Sequence, residues 1–188
     1  MRKNIFMGAL IAAPALIAAG VLPLLSFQPQ SKVWVEGTST VRAYRCESTS
    51  VTGSAQATSA QLADLATVPR AEVTIPVASL DCRNGTMNGH MRKALKAEQN
   101  PTIRLRASNV RVDAGAGTAR IAGELTIAGQ TRPVSIDGTV TSEDGKVRVR
   151  GSERLVMTDF GVQPPTLMMG TMKVAAPVTI GFDVVLKP

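Results

Sequence analysis

From Ser31 onward the chain alternates apolar and polar residues with a period of two. The pattern is clearest at the end, where Val178, Ile180, Phe182, Val184 and Leu186 alternate with Thr179, Gly181, Asp183 and Lys187. Strict alternation gives a strand one apolar and one polar face. The same rhythm runs through Val73-Ile75-Val77, Ile103-Leu105-Ala107, Ile121-Gly123-Leu125-Ile127, Val134-Ile136 and Val147-Val149. A first strand is expected from Lys32 to Cys46, bent near Gly37, and a second from Ser50 to Thr58. Ala114-Gly115-Ala116-Gly117, Ala128-Gly129-Gln130 and Glu143-Asp144-Gly145-Lys146 supply residues that tolerate positive φ, and so predict hairpins. About eight short antiparallel strands around one core point to a closed barrel or a sandwich.

Two stretches break the rhythm. Thr86 to Gln99 is rich in helix formers, with Asn84-Gly85 before it and Asn100-Pro101 after it. Met87, Met91 and Ala94 or Leu95 share one face, leaving His90, Arg92, Lys93 and Lys96 mostly on others. One helix between strands suits a plug or roof at a barrel mouth. Ser59 to Ala66 reads as a second, weaker helical piece. At the other extreme, Ile5 to Leu25 carries no charge and follows Arg2 and Lys3. That order fits a signal peptide or an N-terminal membrane anchor over residues 1–27, with the folded domain expected over 31–188. Small residues at Ala13/Ala15 and Ala18/Gly20 offer cleavage sites, whereas the length of the apolar run approaches that of a spanning helix. Both readings make the domain an exported one, periplasmic or held at the membrane.

Export changes what the charges and cysteines mean. The formal charge is +7, falling to +5 without Arg2 and Lys3. Arg104, Arg106, Arg111, Arg120, Arg148 and Arg150 are dispersed rather than clustered. With aromatic residues at only 3%, they have no stacking partners for single-stranded nucleic acid, which is therefore not expected as a partner. A solvated outer sheet face explains them, and contact with an anionic membrane surface is the functional alternative. Cys46 and Cys82 form an even pair in an oxidising compartment, so a disulfide is expected, contributing roughly 4 kcal/mol through loop closure. A catalytic redox pair would usually be closely spaced, as C-x-x-C. One histidine and two cysteines leave no metal-ligand set.

Three blocks together resemble the YceI-like lipid-binding domain family. The first runs Val77-Ala78-Ser79-Leu80-Asp81-Cys82-Arg83-Asn84-Gly85, followed by His90-Met91-Arg92, Leu95 and Asn100-Pro101-Thr102-Ile103. The second is Gly123-Glu124-Leu125-Thr126-Ile127-Ala128-Gly129-Gln130-Thr131-Arg132-Pro133-Val134, similar to the family's G-x-L-T-I-x-G-x-T-x-P-V hairpin. The third is Met157-Thr158-Asp159-Phe160-Gly161-Val162. The resemblance implies a lipocalin-like, eight-stranded antiparallel β-barrel, with its helix near the mouth and an apolar lumen that binds polyisoprenoid chains. Quinone-type isoprenoids are included. An aliphatic lining without carboxylates is expected, each buried methylene contributing up to about 0.8 kcal/mol. Ligand contacts are expected from Met87, His90, Met91, Leu95, Phe160, Met168 and Phe182. Cys82 stands where many members carry Thr, which looks like a subgroup with a stapled mouth. Ala97-Glu98-Gln99 lacks the aromatic pair that often follows the helix.

The leading expectation is a non-catalytic barrel that binds, stores or carries a long apolar lipid, with no cofactor. Whether two barrels pair is left open. The alternatives are an interaction module whose barrel is filled by its own side chains, or a lipocalin-shaped enzyme using Asp81, His90 and Asp159. No G-x-S-x-G elbow or phosphate-binding loop supports the enzyme.

Overall fold

A computed structural model of the chain describes residues 22–59 and 65–187. Most of the expected leader and of the weak helical stretch from Ser59 to Ala66 lies outside the described residues. The strands are β1 (Leu24–Phe27), β2 (Lys32–Ser39), β3 (Ala43–Ser48), β4 (Thr52–Gln56), β5 (Thr67–Val68), β6 (Arg70–Pro76), β7 (Thr102–Asp113), β8 (Thr118–Ile127), β9 (Gln130–Glu143), β10 (Lys146–Val156), β11 (Thr166–Leu167) and β12 (Met172–Lys187). The helix α1 (Gly85–Ala94) lies between β6 and β7.

The sheet closes on itself. β1 and β2 lie in succession along one edge of β12, with Phe27 opposite Leu186 and Val33 opposite Phe182. β3 and β4 follow β2 and β1, β6 follows β4, and β7, β8, β9 and β10 lead back to β12. Counting β1 with β2, β3 with β4 and β5 with β6 gives eight antiparallel staves among the described residues. The expected eight-stranded barrel is therefore present.

Three staves are broken, and a serine fills two of the breaks. Between β1 and β2 the Ser31 hydroxyl accepts from the Val185 amide at 3.0 Å and donates to the Val185 carbonyl at 3.2 Å. Its side chain thereby replaces the missing ladder partners in a position only 1% exposed, where unpaired backbone groups would be costly. Between β3 and β4, Ser48 pairs with the Ser79 hydroxyl at 2.7 Å and accepts from the Ser50 amide at 3.1 Å.

Three expectations need correction. The single bent strand from Lys32 to Cys46 is a hairpin, β2 and β3. Its turn contains no Gly, Pro or Asn; instead the Ser39 hydroxyl accepts from the amides of Val41 and Arg42. The boundary at Phe27 falls inside the sheet, because Leu24–Phe27 is β1 and Leu25 is buried in the core. An apolar inward strand directly after the uncharged apolar run that begins at Ile5 leaves no change of pattern to mark its start. The helix also stops at Ala94, five positions short of Gln99, with Lys96 in the left-handed region.

The two ends of the barrel differ. Leu25, Ala55, Ala57, Leu65, Val68, Ala107, Val110, Ala119, Val140, Val147 and Leu186 form one cluster that fills the end near β1. At the other end Ala94 and Leu95 pack on Ala128, Phe160 and Val162, so the helix is seated on the rim. Ala128-Gly129 and Asp144-Gly145 turn their hairpins with both residues at positive φ, as the expected turns require.

Candidate functional site

The space left between the filled end and the helix is a cavity of about 720 Å³. Its wall comes from the inward positions of the alternating strands: Val33 and Val35, Val73 and Ile75, Ile103 and Leu105, Ile121 and Leu125, and Val178, Ile180 and Phe182. Branched aliphatic side chains hold one χ1 rotamer and stand clear of the pleat, leaving a smooth apolar channel. Cavities of this size enclose one small ligand.

The roof is α1 and the segment leading into it. Asn84 caps the helix, its side chain accepting from the Met87 amide at 2.9 Å. Before the cap, Asp81 pairs with Glu47 of β3 through backbone hydrogen bonds of 2.8 and 2.9 Å in each direction. The Asp81 carboxylate accepts from the Asn88 side chain and from the Arg83 amide, both at 2.9 Å. The Asn88 side-chain carbonyl in turn accepts from the Cys82 amide at 2.8 Å. Donation from Asn88, followed by the Arg83 amide, holds the Asp81 carboxyl below the usual range. Asp81 is thus an ionised acceptor that fixes the helix start.

Cys46 and Cys82 form the expected disulfide, joining β3 to this segment, and the Met91 sulfur lies 3.8 Å from Cys82 Sγ. Disulfide, helix cap and carboxylate network together hold the apolar face of α1 over the lumen.

Of the residues expected to meet a ligand, Met87, His90, Met91, Leu95, Phe160 and Phe182 line the cavity. The side chain of Met168 lies outside the described residues; nearby, Met172 and Pro165 line the cavity. Asp159 is exposed in the turn Met157–Phe160, where its backbone carbonyl accepts from Arg132 at 2.9 Å. Among the described residues no hydrogen bond or ion pair joins Asp81, His90 and Asp159, so the structure does not assemble them into one proton-transfer unit.

The expectation of a lining without carboxylates is overturned by Glu153. It follows Val147, Val149 and Gly151 at alternate positions of β10 and precedes Leu155, which places it on the inward face and against the cavity. Tyr44 is a second lining residue that the pattern did not single out. It shares the inward parity of Cys46 and lies directly over Gly37, where any Cβ would collide with its ring. Burial pushes its phenol up, so it stays protonated. The parity of β10 marks Glu153, but its charge argues against an inward assignment. Arg106, Arg120, Arg148 and Arg150 face outward in ion pairs with Glu72, Asp137 and Asp183, as an outer sheet face should.

The family description of a YceI-like domain matches residues 29–186, from the step between β1 and β2 to the last turns of β12. The chain belongs to the YceI-like domain family. A UPF0312 protein of Vibrio cholerae is 32% identical over 99 residues, spanning 48% of this chain and 52% of that protein. One from Pseudomonas aeruginosa is 28% identical over 102 residues, or 50% and 52%. The chain thus spans about half the length of the curated relatives it matches. BcnA of Burkholderia cenocepacia superposes with a TM-score of 0.70 at 22% identity, covering 85% of this YceI-like chain and 98% of BcnA. A polyisoprenoid binding domain from Saccharophagus degradans gives 0.64 at 13% identity, covering 87% and 97%. At such identities these likenesses establish the shared barrel.

Proposed function

We propose that this YceI-like barrel is a non-catalytic binder and carrier of a long apolar lipid of polyisoprenoid type, exported to the periplasm or cell surface. The observation that carries the reading is the cavity: a channel of about 720 Å³ walled by aliphatic side chains, with a methionine-bearing helix over its mouth. Flexible thioethers adapt to irregular apolar surfaces, which suits a branched tail. The polyisoprenoid-binding likeness in Saccharophagus degradans supports the ligand class. The Cys46–Cys82 disulfide supports an oxidising compartment, since such bonds persist there and are rare in the cytosol. Dispersal of Asp81, His90 and Asp159 favours binding over catalysis.

Purified protein extracted with organic solvent should release an isoprenoid detectable by mass spectrometry. Stripped protein should take one up again. An extract with no apolar lipid, together with no uptake of added isoprenoid, would remove the proposal.

A further inference from the structure

Glu153 is an anomaly in an apolar channel. Its side chain makes no ion pair or hydrogen bond to any described residue, although it is half-buried and borders the cavity. Its carboxylate therefore keeps its accepting capacity free at the edge of an apolar lumen, where the wall supplies no donor. Arg42 borders the same cavity but sits in the turn between β2 and β3. Ser39 of that turn pairs with Val174, whereas Glu153 pairs with Ile180, roughly 20 Å further along β12. The register therefore keeps the guanidinium away.

The Tyr44 hydroxyl likewise makes no hydrogen bond to a described residue. It lies over Gly37, which is opposite Val178, and Val178 is opposite Leu155, the inward neighbour of Glu153. Tyr44 and Glu153 thus face the lumen across three strand spacings and one two-residue step, roughly 16 Å between backbone positions. The Tyr44 ring, lying over Gly37, carries its hydroxyl one strand nearer to Glu153, and both side chains border the same lumen.

We propose that Tyr44 and Glu153 form a headgroup subsite for an uncharged, hydroxyl-bearing end of the lipid, an alcohol or a hydroquinone. The inference rests on the lipid-binding reading above. A hydroxyl donates to the Glu153 carboxylate and accepts from the Tyr44 phenol, satisfying both. A diphosphate would bring further negative charge against an unpaired carboxylate in an apolar wall, an arrangement that rejects it. A quinone accepts from Tyr44 but has no hydrogen for Glu153.

Competition binding on the stripped full chain tests this, with prenyl chains of one length ending in hydroxyl, diphosphate or methyl. The alcohol should bind at least ~10-fold tighter than the diphosphate. Glu153→Gln, an amide of the same shape, should bring the two within ~2-fold. Tyr44→Phe should weaken the alcohol about 5-fold and leave the hydrocarbon unchanged. A prenylated hydroquinone compared with its quinone tells a ring hydroxyl from an alkanol as the source, and either preference for the hydroxyl form supports the subsite. If the tails bind but the diphosphate equals or exceeds the alcohol, or Glu153→Gln leaves their ratio unchanged, this inference falls alone. If no tail binds, the lipid-binding reading falls with it.

Discussion

Asp183 shows how one side chain can lock the barrel seam. It alternates with Phe182 and Val184 on β12, so it faces outward, yet it is only 8% exposed. Arg148 reaches it from β10 with two hydrogen bonds of 2.6 Å, and Arg150 adds a third at 3.2 Å. Donation from Arg148 is the main reason its carboxyl lies below the usual range, with Arg150 assisting against desolvation. A carboxyl lowered by folding contributes stability above its unfolded pKa, about 3.9, and loses it as pH falls through the lowered value. Asp183→Asn should therefore cost roughly 1–3 kcal/mol at neutral pH, by analogy with other charge-assisted bonds. The deficit should shrink towards zero in strong acid. Denaturant melts at both pH values decide it: equal stability at pH 7, or a deficit that persists in acid, contradicts the assignment.

At the scale of elements, alternation and turn chemistry explain how much was readable. β7 to β10 and β12 have long runs of period two separated by Gly-containing turns, and they stand where that pattern puts them. Where a serine side chain does the turning or the bridging, as at Ser39 and Ser48, no Gly or Pro signals the break. Such breaks look like bends in the pattern, or leave no trace in it. The helix was legible from its cap and its following Pro101, while its length was not, because Leu95, Lys96 and Ala97 in the turn that replaces its end are good helix formers.

The stapling of α1 leads to a prediction at the same scale. The Cys46–Cys82 bond ties the segment before α1 to β3, across a long stretch of chain. Replacing both with serine should cost roughly 4 kcal/mol by the loop-closure account, and should speed release of bound lipid because the roof loses its covalent tether. Paired thermal melts and lipid off-rates measure this. Unchanged off-rates in a destabilised variant would show that the bond supports the barrel without restraining its mouth.

For the whole molecule, the open question is whether the lumen is a vessel or a loosely filled core. The sequence revealed the aliphatic wall, but not that the wall stays apart: alternation assigns side chains to the interior without stating how much interior the closing staves enclose. The filled end, with Ala55, Ala57, Ala107 and Ala119 among its members, shows that small residues let the staves approach there. Toward the mouth, larger side chains face one another across unoccupied space. Leu105, on the inward face of β7 and opposite Val73 and Leu125 in its neighbours, borders that space. Leu105→Trp separates the two descriptions. In a core filled by its own side chains the added bulk is overpacking, which costs typically about 1–3 kcal/mol. In a vessel the indole enters volume otherwise used by ligand, so stability should change by less than about 1 kcal/mol while lipid uptake falls severalfold. Melting and uptake measured on the same preparation distinguish these outcomes. A destabilised variant that still takes up lipid normally would overturn the vessel description and favour an interaction module with a self-filled barrel.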